Sequence, residues 1–190
     1  MKKTKEQIEA EIIGYLDETA THPGDGSQSG CGLRHGIACA LGTSRKGSDV
    51  PRVTPVDFHH DGLTLWILAD PGGKLGNIRS NRNVSVAVYS PMDHAQDNRS
   101  IQLFGKATLV TLRYQEEEFM NSIKRMGLLD AITRGVQGNI YGTTGNTDFD
   151  EALQKQLLNV TLIKIQPETI IHLIIRPGQA MEKLVWERSG

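Results

Sequence analysis

Two stretches carry residue types that can hold an anion. The first is Pro51-Arg52-Val53-Thr54-Pro55-Val56; the second is Ala69-Asp70-Pro71-Gly72-Gly73-Lys74-Leu75-Gly76-Asn77-Ile78. Side chains alternate along an extended strand, so Arg52, Thr54 and Val56 share one face and present a guanidinium, a hydroxyl and an apolar patch in line. That row suits a ligand with one charged end and one flat apolar end. Gly72 and Gly73 leave the backbone uncovered where a helix starts, so first-turn N–H groups and the Lys74 ammonium attract a phosphate. Arg52 adds a fork that can clamp it in two places.

These residues need a scaffold, and the periodicity of the chain indicates which kind. Residues 4–20 set Ile8, Ile12, Ile13, Tyr15, Leu16 and Ala20 at near-helical spacing among Glu and Lys, an amphipathic N-terminal helix. Residues 21–36 are rich in glycine and polar groups and read as a loop. The period then shortens. Residues 37–43, 52–58 and 63–69 are short runs rich in β-branched and aromatic residues, expected as three antiparallel strands in a meander, with Asp61-Gly62 as a tight hairpin turn. Residues 71–82 read as a short helix, and 84–90 and 100–111 as further strands.

Residues 114–131 begin with Glu116, Glu117 and Glu118 and end near Lys124 and Arg125, the charge order that a helix dipole favours. That run is expected as one surface helix. Residues 132–150 lack periodicity, 150–158 suit another short helix, and 160–166 and 169–175 read as two strands broken by Pro167. This order lacks the regular strand–helix alternation of a parallel α/β fold, so a mainly β barrel with peripheral helices is expected.

Composition narrows the function classes. With 38% hydrophobic and 23% charged residues, the chain can build a packed core and is not a disordered segment. Lys and Arg (21) nearly cancel Asp and Glu (22), so no global field draws it to nucleic acid or to an anionic membrane. Any anion site must be local. Glu6, Glu9 and Glu11 interrupt the N-terminus where a signal peptide needs an apolar core, and no run is long enough to span a bilayer. A cytoplasmic protein is expected, with Cys31 and Cys39 as free thiols.

The ordered set of pieces resembles a known family. An Arg strand of the form xRVxPV, a hairpin, a strand ending in small residues, a Gly-Lys helix start with Asn three residues on, and a later strand with Gly105-Lys106-Ala107 are similar to the pyridoxamine 5′-phosphate oxidase-like FMN-binding split barrels. Residues 164–170 resemble the family's last strand pair. The resemblance implies a six-stranded antiparallel split β-barrel of Greek-key type with N-terminal and peripheral helices. It would be a single domain over 1–190: the helix at 1–20, the loop at 21–36, a barrel at 37–175 with a helical insert at 112–158, and a tail at 176–190.

Residue by residue, the resemblance implies that Arg52 and Lys74 hold the phosphate of FMN. Val53, Thr54, Pro55 and Val56 would run along the ring system and ribityl chain, Ala69 and Asp70 would line the groove, and Asn77 would close it. Family members build the site at a homodimer interface, so Gln102 would reach the flavin of the partner chain. The sequence also departs from the oxidases. Asp57 stands where they carry a second phosphate-binding Lys, and Gly72-Gly73-Lys74 stands where they have Ser-Arg-Lys. A flavin reductase or another FMN-dependent oxidoreductase acting on a small molecule is therefore expected rather than pyridoxamine phosphate oxidation. The alternative is a non-enzymatic split barrel that binds FMN or haem.

Other signals are set aside on chemical grounds. The Gly24–Gly30 run follows a helix and precedes a strand, the reverse of a phosphate-binding loop. His22, Cys31, His35 and Cys39 have zinc-ligand types but no zinc spacing, so no metal is expected. His59 and His60 read as exposed turn residues and His172 as a satisfied core residue, although each is a conceivable haem ligand. No catalytic residue is assigned, because a flavin carries the electrons itself.

Overall fold

The computed structural model describes residues 3–20, 38–89, 97–138 and 148–189. The expected loop at 21–36, with Cys31, His22 and His35, lies outside the described residues. Helix α1 (Lys5–Thr19) opens with a capping box in which Thr4 and Gln7 satisfy each other's backbone N–H groups. Strands β1 (Ala38–Ser44), β2 (Pro51–Val56), β3 (His59–Asp61) and β4 (Thr64–Ala69) follow. Then come α2 (Gly73–Ser80), β5 (Asn83–Tyr89) and β6 (Asn98–Val110). Three helices make the insert, α3 (Glu116–Arg125), α4 (Leu128–Gln137) and α5 (Phe149–Asn159), before β7 (Thr161–Ile175) and β8 (Glu182–Glu187) close the chain.

All strand pairs are antiparallel, in the order β2-β1-β5-β6-β7-β4-β3, with β8 also paired to β7. The curled sheet with helices around it is a split barrel. It has eight strands among the described residues where six were expected, because two short pieces count separately. One is β3; the other is β8, which lies within the expected C-terminal tail. The meander also gives way: β2 pairs only with β1, whereas β4 crosses over to pair with β7.

Pro167 does not break the last strand. One 15-residue strand, β7, runs through it, and the register against β6 shifts between Phe104 and Gly105. Gly105 is needed there, since a Cβ would come within 2.3 Å of the Gln166 carbonyl oxygen and 2.9 Å of Pro167 Cα. Below the shift β7 pairs with β4, and above it with β8, so this irregularity is where the sheet divides.

The single surface helix expected over 114–131 is two, α3 and α4, separated by Gly127 at φ 66°. Their apolar faces, with Phe119, Ile123 and Ile132, cover Trp66, Val110 and Leu162 in a second core. The main core lies inside the barrel, where Leu41, Val86, Leu103 and Ile170 meet Ile12, Tyr15 and Leu16 of α1. Helix α1 thus closes the barrel interior, and it is tied at the rim. Trp186 Nε1 donates to Glu9 (2.9 Å), Tyr15 donates its hydroxyl to the Arg99 carbonyl (2.8 Å), and Lys3 pairs with Glu182 (2.7 Å). No helix among the described residues is long and apolar enough to cross a membrane.

Candidate functional site

Strand β2 lies at the sheet edge, and its register fixes where each side chain points. Arg52, Thr54 and Val56 are opposite Thr43, Leu41 and Cys39, which are buried, so the row lies on the core-facing side of β2, with Thr54 and Val56 half-buried and Arg52 exposed at its outer end. Val53 and Pro55 face the other way and are exposed. The Thr54 hydroxyl is buried without a hydrogen-bond partner among the described residues.

Helix α2 brings the second stretch to this row. Leu75 and Ile78 sink into the core and fix its inner face. Three polar contacts stitch it to the end of β1. Asn77 Nδ2 donates to Thr43 Oγ1 (3.1 Å), Asn81 Nδ2 to Ser44 Oγ (3.1 Å), and the Lys46 backbone N–H to Ser80 Oγ (3.0 Å). The helix start then lies against Arg52. A Cβ on Gly73 would be 2.8 Å from Arg52 Nη1 and 3.1 Å from Cζ, so the guanidinium rests directly on the glycine. No side chain caps this helix N-terminus.

Arg52 and Lys74 have no ion-pair partner among the described residues. The Arg52 guanidinium laid on uncapped first-turn N–H groups, with Lys74 the next residue of that turn, makes a local anion trap in a chain of nearly zero net charge. The fold therefore gathers Arg52, Thr54, Val56, Lys74 and Asn77. Asn77 is already engaged by Thr43, a partner that the sequence alone did not suggest. Ala69 packs its side chain into the core, while Asp70 is exposed in the turn before α2.

Gln102 lies on the opposite face of the sheet. Register places it in one line with Pro55, Ala40, Ala87, Ile171 and Val185 across six strands. The row beside it runs from Val53 through Gly42 and Ser85 to Phe104. Val53 is 68% exposed, Tyr89 48%, Phe104 46% and Val185 41%, so this face carries several exposed apolar side chains. Within one chain Gln102 and the Arg52 row cannot meet.

The remaining titratable groups are shaped by burial. Asp57, at the end of β2, is half-buried, and desolvation raises its carboxyl pKa. Burial, then the Asp57 charge, pushes the Cys39 thiol up to about 12, so Cys39 is an inert core residue. The histidines differ from expectation. His59 is buried on β3 rather than exposed in the turn. His60 approaches Asp17 (Nε2 to Oδ1 3.1 Å) and the Gly62 carbonyl (3.0 Å). His172 is a core residue stacked on Tyr15, with ring centroids 5.2 Å apart, yet neither ring nitrogen has a hydrogen-bond partner among the described residues.

Comparison with known proteins decides the kinship of this fold. Residues 32–173 match the family described as pyridoxamine 5′-phosphate oxidase. The chain belongs to that family. No curated protein matches it. Among solved structures, it is similar to a pyridoxamine 5′-phosphate oxidase-related, FMN-binding protein from Nostoc punctiforme (TM-score 0.58, 15% identity, 80% of this chain and 81% of that one). It is also similar to PhzG from Burkholderia lata, solved with tetrahydrophenazine-1-carboxylic acid (TM-score 0.54, 12% identity, 80% and 77%). A third likeness is a haem-binding protein from Mycobacterium smegmatis (TM-score 0.51, 13% identity, 97% and 59%). At these identities the likeness is one of fold, and the site must be argued from this family member's own residues.

Proposed function

We propose that this member of the pyridoxamine 5′-phosphate oxidase family binds FMN and acts as an oxidoreductase on a small molecule. The observation that carries the reading is the Arg52 guanidinium laid across Gly73 at the uncapped start of α2. Arg52, Lys74 and the first-turn N–H groups hold the phosphate. The unpartnered Thr54 hydroxyl and Val56 continue the row inward, one offering a hydrogen bond to a ribityl chain and the other an apolar wall. These residues fit the cofactor at each position where the structure leaves a cation, a polar atom or a glycine cradle without a partner of its own.

Bound FMN supplies the electron transfer, and the chain supplies position and polarity. Asp57 puts an acidic group at the apolar end of the row, which disfavours a phosphate-bearing substrate there. A second copy of the chain covers the apolar sheet face and, reaching round the β2 edge where Arg52 is exposed, brings its Gln102 towards the site, giving a homodimer with a shared cleft. The described histidines give the haem alternative no support, since His59 and His172 are buried and His60 is engaged at both ring nitrogens. The deciding experiment is flavin binding followed by fluorescence quenching. Arg52→Ala and Lys74→Ala should each weaken FMN about tenfold or more while leaving riboflavin nearly unchanged. Equal losses for the two ligands would rule out the phosphate role.

A further inference from the structure

The anion trap at Arg52 does not end where one phosphate ends. An open groove of about 520 Å³ continues from it along α2, lined by Arg45, Gly73, Gly76, Asn77, Arg79 and Ser80. At about 1.5 Å per residue, the helix carries this groove roughly 10 Å from Gly73 to Ser80. Its volume is that of a ligand pocket rather than of a single bound ion.

The charges along it are all of one sign. Among the described residues Arg45 and Arg79 line the groove, no carboxylate does, and neither Arg has an ion-pair partner. Arg79 sits in the last turn of α2, where the helix dipole favours a cation, but that explains only one of the two. Arg45, just after β1, comes to the same groove because the Lys46-to-Ser80 and Asn81-to-Ser44 hydrogen bonds hold α2 to the end of β1. Both arginines are exposed, so water screens their mutual repulsion, and an anion bound in the groove would draw on both charges.

A monophosphate is already matched by Arg52, Lys74 and the helix start. Arg45 and Arg79 are therefore surplus to FMN. We infer that the groove along α2 is a second anion subsite in which Arg45 and Arg79 take a further phosphate, so that the site accepts a flavin carrying a diphosphate, of the FAD class, at least as well as FMN. This inference rests on the flavin reading of the Arg52 site. It adds to it the identity of the groups that select the longer ligand.

The test is titration of the flavin-free protein with riboflavin, FMN and FAD, in the wild type and in the double variant Arg45→Ala/Arg79→Ala, with circular dichroism to check folding. Wild type should bind FAD no more weakly than FMN. The double variant should lose about tenfold or more for FAD and change FMN by less than about twofold. Rejection of FAD by the wild type, or equal losses for FMN and FAD, overturns the subsite while leaving FMN binding intact. If no flavin binds, the flavin reading itself fails, and calorimetry with inorganic pyrophosphate then decides the subsite. Binding that the double variant abolishes upholds it, and absence of binding overturns it too.

Discussion

The guanidinium of Arg52 lies against Gly73, so close that a Cβ at residue 73 would lie 2.8 Å from Nη1. Strand edge and helix start are joined at that contact, and the glycine is what permits it. Gly73→Ala should therefore act on binding rather than on folding. The atom displaced is the far end of a flexible side chain, which shifts cheaply, and alanine favours the helix by up to about 1 kcal/mol. The melting temperature should stay level or rise slightly. FMN affinity should fall about tenfold, the worth of one displaced charge-assisted hydrogen bond, as measured by fluorescence titration. Unchanged affinity would show that Arg52 can hold phosphate from another rotamer.

Gly105 presents the opposite case. The Cβ it lacks would strike backbone, 2.3 Å from the Gln166 carbonyl oxygen and 2.9 Å from Pro167 Cα, and neither can move without parting β6 from β7. Gly105→Ala should destabilise by about 1–3 kcal/mol. For a chain of this length each kcal/mol lowers the melting temperature by roughly 2–4 °C. A thermal melt indistinguishable from wild type would mean that the strand pair relaxes freely at the shift.

The same two glycines show how far the sequence could be read. The alternating row Arg52-Thr54-Val56 and the Gly-Lys helix start are local patterns, and both took the predicted form. Strand pairing is non-local. The Asp61-Gly62 turn signals a hairpin, but nothing near it says that β4 will pair with β7, about a hundred residues later, rather than with β2. Pro167 reads as a strand break because proline donates no ladder hydrogen bond, yet the register shift at Gly105 accommodates it. Gly127, one residue in an otherwise helical pattern, takes φ 66° and divides a helix that periodicity alone runs together. Arg45 and Arg79, 34 positions apart, line one groove only because α2 folds back onto the end of β1.

His172 gives a prediction in pH. Its burial, followed by the Arg99 charge, lowers the ring's pKa from 6.5 to about 4, against the opposing pull of Glu11 and Glu182. The unfolded chain takes up the proton first, as pH falls through 6.5, while the folded ring stays neutral until about 4. Stability contributed by the neutral ring is thus complete above pH 6.5, declines as pH falls, and is lost by about 4, for a total of roughly 3 kcal/mol. His172→Phe keeps a ring against Tyr15 and removes the titration. Denaturant unfolding from pH 4.5 to 7.5 should give a flatter profile for the variant, and parallel profiles would count against a neutral buried His172.

Assembly is tested on the other face of the sheet. Phe104 stands 46% exposed beside the line that runs from Pro55 through Gln102 to Val185, where a second copy would bury it. A charge there would have to be desolvated at the contact, so Phe104→Glu should convert a dimer to monomer in sedimentation velocity. It should do so without unfolding the chain, because Phe104 lies outside the core. If the partner's Gln102 reaches the flavin, the monomeric variant should also bind FMN several-fold more weakly, an effect that Gln102→Ala should reproduce while remaining dimeric. A wild-type protein that is monomeric yet binds FMN at full strength would remove both the interface and the role of Gln102.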